Sequence, residues 1–126
     1  MLTRIPGIVA ALLMASAAFS LSYAQISIDP FGMGSYFRGL TDEDRTLIRN
    51  ASSSLYQNRE AKAGQFETWE NPDSGNHGTV TLVKQFQAKQ MPCWRLRHSI
   101  KIVGQKDLKT IEISRCKAPS GEWKIL

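Results

Sequence analysis

Three groups of side chains have the chemistry to hold or act on another molecule. Arg95, Arg97 and Lys101 stand at even spacings in one run, which puts them on one face of a strand. A guanidinium presents a fixed fork of donors matched to planar oxyanions such as phosphate and carboxylate. The trio is therefore a candidate anion-binding site, with Lys84, Lys89 and Lys106 as neighbours and Glu112 as a partial counter-charge. Asp73, Ser74 and His77 supply the residue types of a nucleophilic triad. They sit within a single turn, where side chains diverge, whereas a triad needs its base within hydrogen-bond reach of the nucleophile. Turn formation is the expected role, and no catalytic residue is assigned. His77 with Asp73 and Glu70 matches no metal-ligand spacing, so neither a metal nor a cofactor is expected. Trp69, Trp94 and Trp123 either line a groove for a sugar or peptide or cover core and edges.

These groups need a scaffold, and the leading residues come off it first. Arg4 precedes an uncharged apolar run over residues 7–19, and Ser22-Tyr23-Ala24 places small residues where a signal peptidase reads. The run is shorter than the roughly 20 apolar residues that span a bilayer. Residues 1–24 are read as a signal peptide cleaved after Ala24, and no cysteine near that site offers a lipid anchor. The two cysteines, Cys93 and Cys116, then lie in an oxidising compartment and read as one disulfide. Charge is uneven: residues 25–83 hold five basic and eight acidic side chains, residues 84–126 ten and three. Such a basic half favours an anionic neighbour or a solvated face. Export disfavours nucleic acid as the partner.

Residues 25–40, with Pro30, three glycines and no sustained period, form an irregular arm that docks through Phe31, Tyr36 and Phe37. Residues 41–126 form the domain. Thr41 is an N-cap with Asp44 at the capping-box position, and Leu47, Ile48, Ala51, Leu55 and Tyr56 make a helical stripe that ends at Gly64. Strand patterns follow at residues 65–70 and 79–87, the latter with Val80, Leu82 and Phe86 on one face. In the former, Phe66 and Trp69 differ in parity, so the strand either bulges or exposes one ring. Between them, residues 71–78 are turn chemistry throughout.

The last hairpin can be set in register. If Cys93 and Cys116 oppose each other across antiparallel strands, Leu96 meets Ile113, Arg97 meets Glu112 and His98 meets Ile111. Val103 and Lys106 then flank a two-residue turn, Gly104-Gln105, with glycine first as a type II′ turn prefers. Trp94, Leu96, Ile100, Ile111 and Ile113 collect on one face, and Arg95, Arg97, Lys101, Lys106, Glu112 and Ser114 on the other beside the disulfide. Trp123 and Ile125 make a last short strand closing one edge. The expected class is α+β, one N-terminal helix on a small antiparallel sheet of about four to five strands, closed by one disulfide.

Trp69-Glu70-Asn71-Pro72-Asp73-Ser74-Gly75-Asn76-His77-Gly78, followed by Cys93, Cys116 and Gly121-x-Trp123, resembles the seventeen-kilodalton surface antigen family of Gram-negative bacteria. The resemblance marks Trp69, Asn71, Pro72, Gly75 and Gly78 as the motif turn. It implies an outer-membrane or periplasmic protein without transferable catalytic residues. Lipoprotein members carry a glycine zipper and a lipidated cysteine; Gly32-x-Gly34 is too short for the first. An unlipidated protein of the periplasm or outer-membrane surface is expected. Its role is structural or binding, and its expected partners are anionic envelope polymers or an envelope protein. The alternative is a small secreted inhibitor of an enzyme such as lysozyme, which would use the acidic stretches at Asp42–Asp44 or 67–73.

Overall fold

The computed structural model describes residues 29–32 and 35–126; the signal-peptide reading and the first four residues of the arm lie outside them. Helix α1 (Asp42–Gln57) is followed by β1 (Phe66–Glu70), β2 (His77–Ala88), β3 (Met91–Lys101), β4 (Lys109–Lys117) and β5 (Trp123–Ile125). The strands form one antiparallel meander in the order β1-β2-β3-β4-β5. The α+β architecture is the expected one, with five strands.

α1 starts where the sequence places it. Thr41 is extended, its hydroxyl accepts from the Asp44 backbone N–H at 3.1 Å, and the Asp44 carboxylate returns a bond to Thr41 N at 2.8 Å. The helix stops well before Gly64, at Gln57, because Asn58 leaves the helical conformation. Its side chain accepts from Glu60 N, and its carbonyl from Ala61 N, closing a turn that competes with further helix. Gly64, at φ +94°, serves the approach to β1 instead.

One face of the sheet carries the core. Val80, Leu82, Leu96, Ile100 and Ile113 pack beneath Ile48, Ala51, Leu55 and Tyr56 of α1, and the arm adds Phe31, Phe37 and Leu40. The Tyr36 hydroxyl reaches Thr110 of β4, accepting from its N–H and donating to its carbonyl. In β1, Trp69 is buried and Phe66 is 62% exposed, so the parity mismatch is resolved by exposing a ring.

Two local departures re-aim side chains. A bulge at Val83 shifts the β2–β3 register from Leu82↔Leu96 to Lys84↔Arg95. A one-residue slip reverses facing, so Phe86 lies opposite Cys93 on the other face from Val80 and Leu82. Gln85 takes the helix side, donating to Ala61 O at 2.9 Å. The β3–β4 register is the expected one from Cys93↔Cys116 to Ile100↔Lys109, but Val103 and Lys106 do not pair. The connection turns earlier, with Gln105 N bonded to Ile102 O and Gly104 third in the turn at φ +84°. That is the glycine position of a type II turn. Val103 N–H has been drawn away to the Asn76 side chain at 2.8 Å, which ends the ladder.

Candidate functional site

The motif turn is a clasp built around one carboxylate. Asp44, wholly buried in the first turn of α1, accepts four hydrogen bonds. Oδ1 takes Asn71 Nδ2 at 2.8 Å and Ser74 Oγ at 2.7 Å. Oδ2 takes Thr41 N at 2.8 Å and Asn76 Nδ2 at 2.7 Å. Burial alone would raise this carboxyl. The Thr41 backbone bond and the bonds from Asn76, Ser74 and Asn71 outweigh burial and hold it at about 2. Asn76 also donates to Gly39 O at 3.0 Å and accepts from Val103 N. The arm, the helix start, the β1–β2 turn and the β3–β4 turn are thus tied at one point.

The turn is shaped to make that point. Asn71 Oδ1 accepts from Asp73 N, and Ser74 Oγ from Asn76 N, closing two side-chain turns. Gly75 is at φ +77°, and a Cβ there would lie 2.9 Å from Val103 Cγ2. Trp69 sits opposite Gly78 in the ladder. A Cβ on Gly78 would come within 2.6 Å of both Trp69 Nε1 and Ser99 O, so the indole occupies the space the glycine leaves. Pro72 and His77 are exposed.

Ser74 therefore spends its hydroxyl on Asp44 rather than on His77. Of the acidic stretch Asp42–Asp44 that an inhibitor would present, Asp44 is turned inward. No group of three His, Cys, Asp or Glu placed to hold a metal occurs among the described residues.

The opposite sheet face, away from α1, carries the basic residues. Arg95, Arg97 and Lys101 alternate along β3 beside Cys93, and the bulge adds Lys84 and Phe86 of β2. Each of the trio has an intramolecular partner. Arg95 Nε donates to Ser114 Oγ at 3.0 Å, and its guanidinium lies over the Phe86 ring, as does Lys84. Arg97 donates through Nε and Nη2 to Glu112 Oε1. Lys101 Nζ donates to the carbonyls of Gln105 and Lys106. The Cys93–Cys116 disulfide closes the open end of the β3–β4 hairpin on this face, its Cα atoms 4.0 Å apart as in a non-hydrogen-bonded pair. Lys124 lies opposite Cys116.

His98, on the core side, is 2% exposed with its ring 4.8 Å from Phe31. Burial, aided by the charge of Arg115, pushes it down to about 4, so it is a neutral packed ring. Asp44 is visible in the sequence as a capping acid, but nothing local marks it as the hub. A turn with two asparagines and a serine is the signal that an interior anion needed donors.

Fold and site together define a small disulfide-closed α+β domain pinned by a buried carboxylate. The 17 kDa outer membrane surface antigen family matches the chain over residues 57–124, which include the motif turn from Trp69 and both cysteines. The chain belongs to that family. It is similar to the 17 kDa surface antigen of Rickettsia bellii (strain RML369-C), 31% identical over 88 residues, which cover 70% of this chain and 54% of the relative. For the 17 kDa surface antigen of Rickettsia prowazekii (strain Madrid E) the identity is 32% over 85 residues, 68% of this chain and 52% of the relative. That of Rickettsia conorii is 28% identical over 88 residues, 70% of this chain and 54% of the relative. The chain thus spans about half the length of these curated relatives. No solved structure matches it significantly.

Proposed function

We propose that this surface-antigen-like protein is exported to the cell envelope, where it has a structural or binding role and meets anionic envelope components across its uncovered sheet face. The observation that carries the reading is the charge of that face. Lys84, Arg95, Arg97, Lys101 and Lys124 project there by register, against Glu70 and Glu112. Arg97 is paired with Glu112, while Lys84 and Arg95 flank an aromatic ring. A ring between cations presents both charge and an apolar contact to a phosphorylated or carboxylated polymer. No catalytic role is proposed, since Ser74 is held by Asp44.

Co-sedimentation with vesicles tests the contact. Vesicles containing anionic lipid or lipopolysaccharide should bind the protein at low salt. Binding should weaken tenfold or more at about 0.5 M salt, where the Debye length has fallen to a few ångströms. The double variant Lys84→Glu, Arg95→Glu should lose it. Equal binding to zwitterionic vesicles, or an unaffected variant, would refute the electrostatic contact. Fractionation of the expressing cell with mass spectrometry of the recovered chain tests export: a chain beginning at Gln25 is expected, and a full-length cytoplasmic chain with free thiols would overturn it.

A further inference from the structure

A second site lies on the helix-covered side of the sheet. α1 packs over β1 and β2 and leaves the β4–β5 margin of that face less covered. There a cleft of about 410 Å³ opens between the helix, the arm and the last two strands, toward the lower end of the roughly 300–1,000 Å³ typical of small-molecule sites. Phe31, Ile48, Tyr56 and Trp123 give it apolar walls, with the Tyr56 and Trp123 rings stacked at 4.8 Å.

Its charged lining is unbalanced. Arg49, Arg115 and Asp29 all line the cleft. The Asp29 carboxylate is already shared between Arg45 at 3.9 Å and Arg49 at 3.8 Å, and it also accepts from Phe31 N. Arg115 lies over the Tyr56 ring, 6.0 Å from its centroid. A guanidinium resting on a ring keeps its in-plane N–H edge free for a planar oxyanion. Burial pushes the Tyr56 hydroxyl up to about 12 and His98 down to about 4, and the positive charge of Arg115 reaches both, opposing the first shift and adding to the second. Positive charge beside aromatic walls is complementary to one kind of small molecule.

We propose that this cleft binds a small amphipathic carboxylate, its head group on Arg115 and its apolar tail against Tyr56 and Trp123. The site is distinct from the basic face, and it stands or falls independently of the envelope reading.

Octanoate, titrated below its micelle concentration into the protein as recovered from the expressing cell, is the probe, with tryptophan fluorescence as the readout because Trp123 lines the cleft. A saturable change is expected with octanoate, and none at the same concentrations with acetate, which lacks the tail, or octylammonium, which reverses the head charge. Arg115→Gln should weaken octanoate tenfold or more. Arg49→Gln, on the exposed side of α1, should weaken it less and carries the test should Arg115→Gln fail to fold. Arg95→Gln on the other face should leave binding unchanged. Unsaturable partitioning, octylammonium binding as well as octanoate, or unchanged affinity in the cleft arginine variants would overturn the proposal.

Discussion

Replacing Asp44 by asparagine should cost about 3 kcal/mol, a large part of the roughly 5–15 kcal/mol that holds such a domain folded. The carboxylate accepts from four donors, two on each oxygen. An asparagine side chain turns one oxygen into a donor, so two of the four contacts become donor against donor. Ser74 can rotate its hydroxyl and accept instead; Asn71, Asn76 and the Thr41 N–H cannot. At least one buried donor is therefore stranded, at about 1–3 kcal/mol, and the charge-assisted strength of the remaining bonds is lost. Linkage gives an independent magnitude. The carboxyl stands at about 2 when folded, against an ordinary value of 3.8. Between those values the unfolded chain binds the proton and the folded chain does not, so acid favours unfolding. About 2 kcal/mol of stability is fully present above pH 4 and lost as pH falls toward 2. Urea unfolding followed by tryptophan fluorescence at pH 7, 5, 3 and 2 measures both. The gap between the two proteins should be largest at pH 5–7 and narrow below pH 4. A cost under about 1 kcal/mol, or a gap that does not narrow in acid, would refute the clasp as a stabilising device.

Other expectations follow from separate features. Reducing the disulfide, which joins residues 23 apart, should remove about 3 kcal/mol by freeing the unfolded chain; an unchanged melting temperature in reductant would contradict it. Gly78→Ala should cost 2 kcal/mol or more, because its Cβ meets backbone Ser99 O and the Trp69 indole at 2.6 Å; thermal melting checks this. Lys89 and Gln90 hold φ of 50° and 63° in the β2–β3 turn, so Gln90→Gly should stabilise by about 1 kcal/mol in urea titrations. His98 is lowered from 6.5 to about 4, so the unfolded chain takes up its proton first on acidification. Stability should fall from pH 6.5 to 4 by up to about 3 kcal/mol, and His98→Leu should flatten that slope.

Much of this molecule is written locally. The helix start follows from Thr41 and Asp44, because a cap needs only neighbours in the chain. The β3–β4 register follows from two cysteines and the alternation of apolar residues around them, since a slip would turn every side chain over. The resemblance of the motif turn and cysteines to the surface antigen family was legible for the same reason. What the chain could not announce comes from local turns that compete with regular structure and from partners distant in sequence. The early helix end reflects a side-chain turn at Asn58 winning over helix propagation. The bulge that carries Phe86 to the disulfide face shows in residues 79–87 only as Val83 and Lys84 falling out of the alternation. The β2–β3 turn, formed by Lys89 and Gln90, lacks the glycine or asparagine that signals a positive φ. Asn76 reaches from one turn to the arm and to another turn, so it set where the β3–β4 ladder stopped. The cleft joins Arg49 on the helix to Arg115 and Trp123 on the last two strands. Side-chain type and spacing decide local structure; only packing decides which distant donors, rings and charges come to face one another.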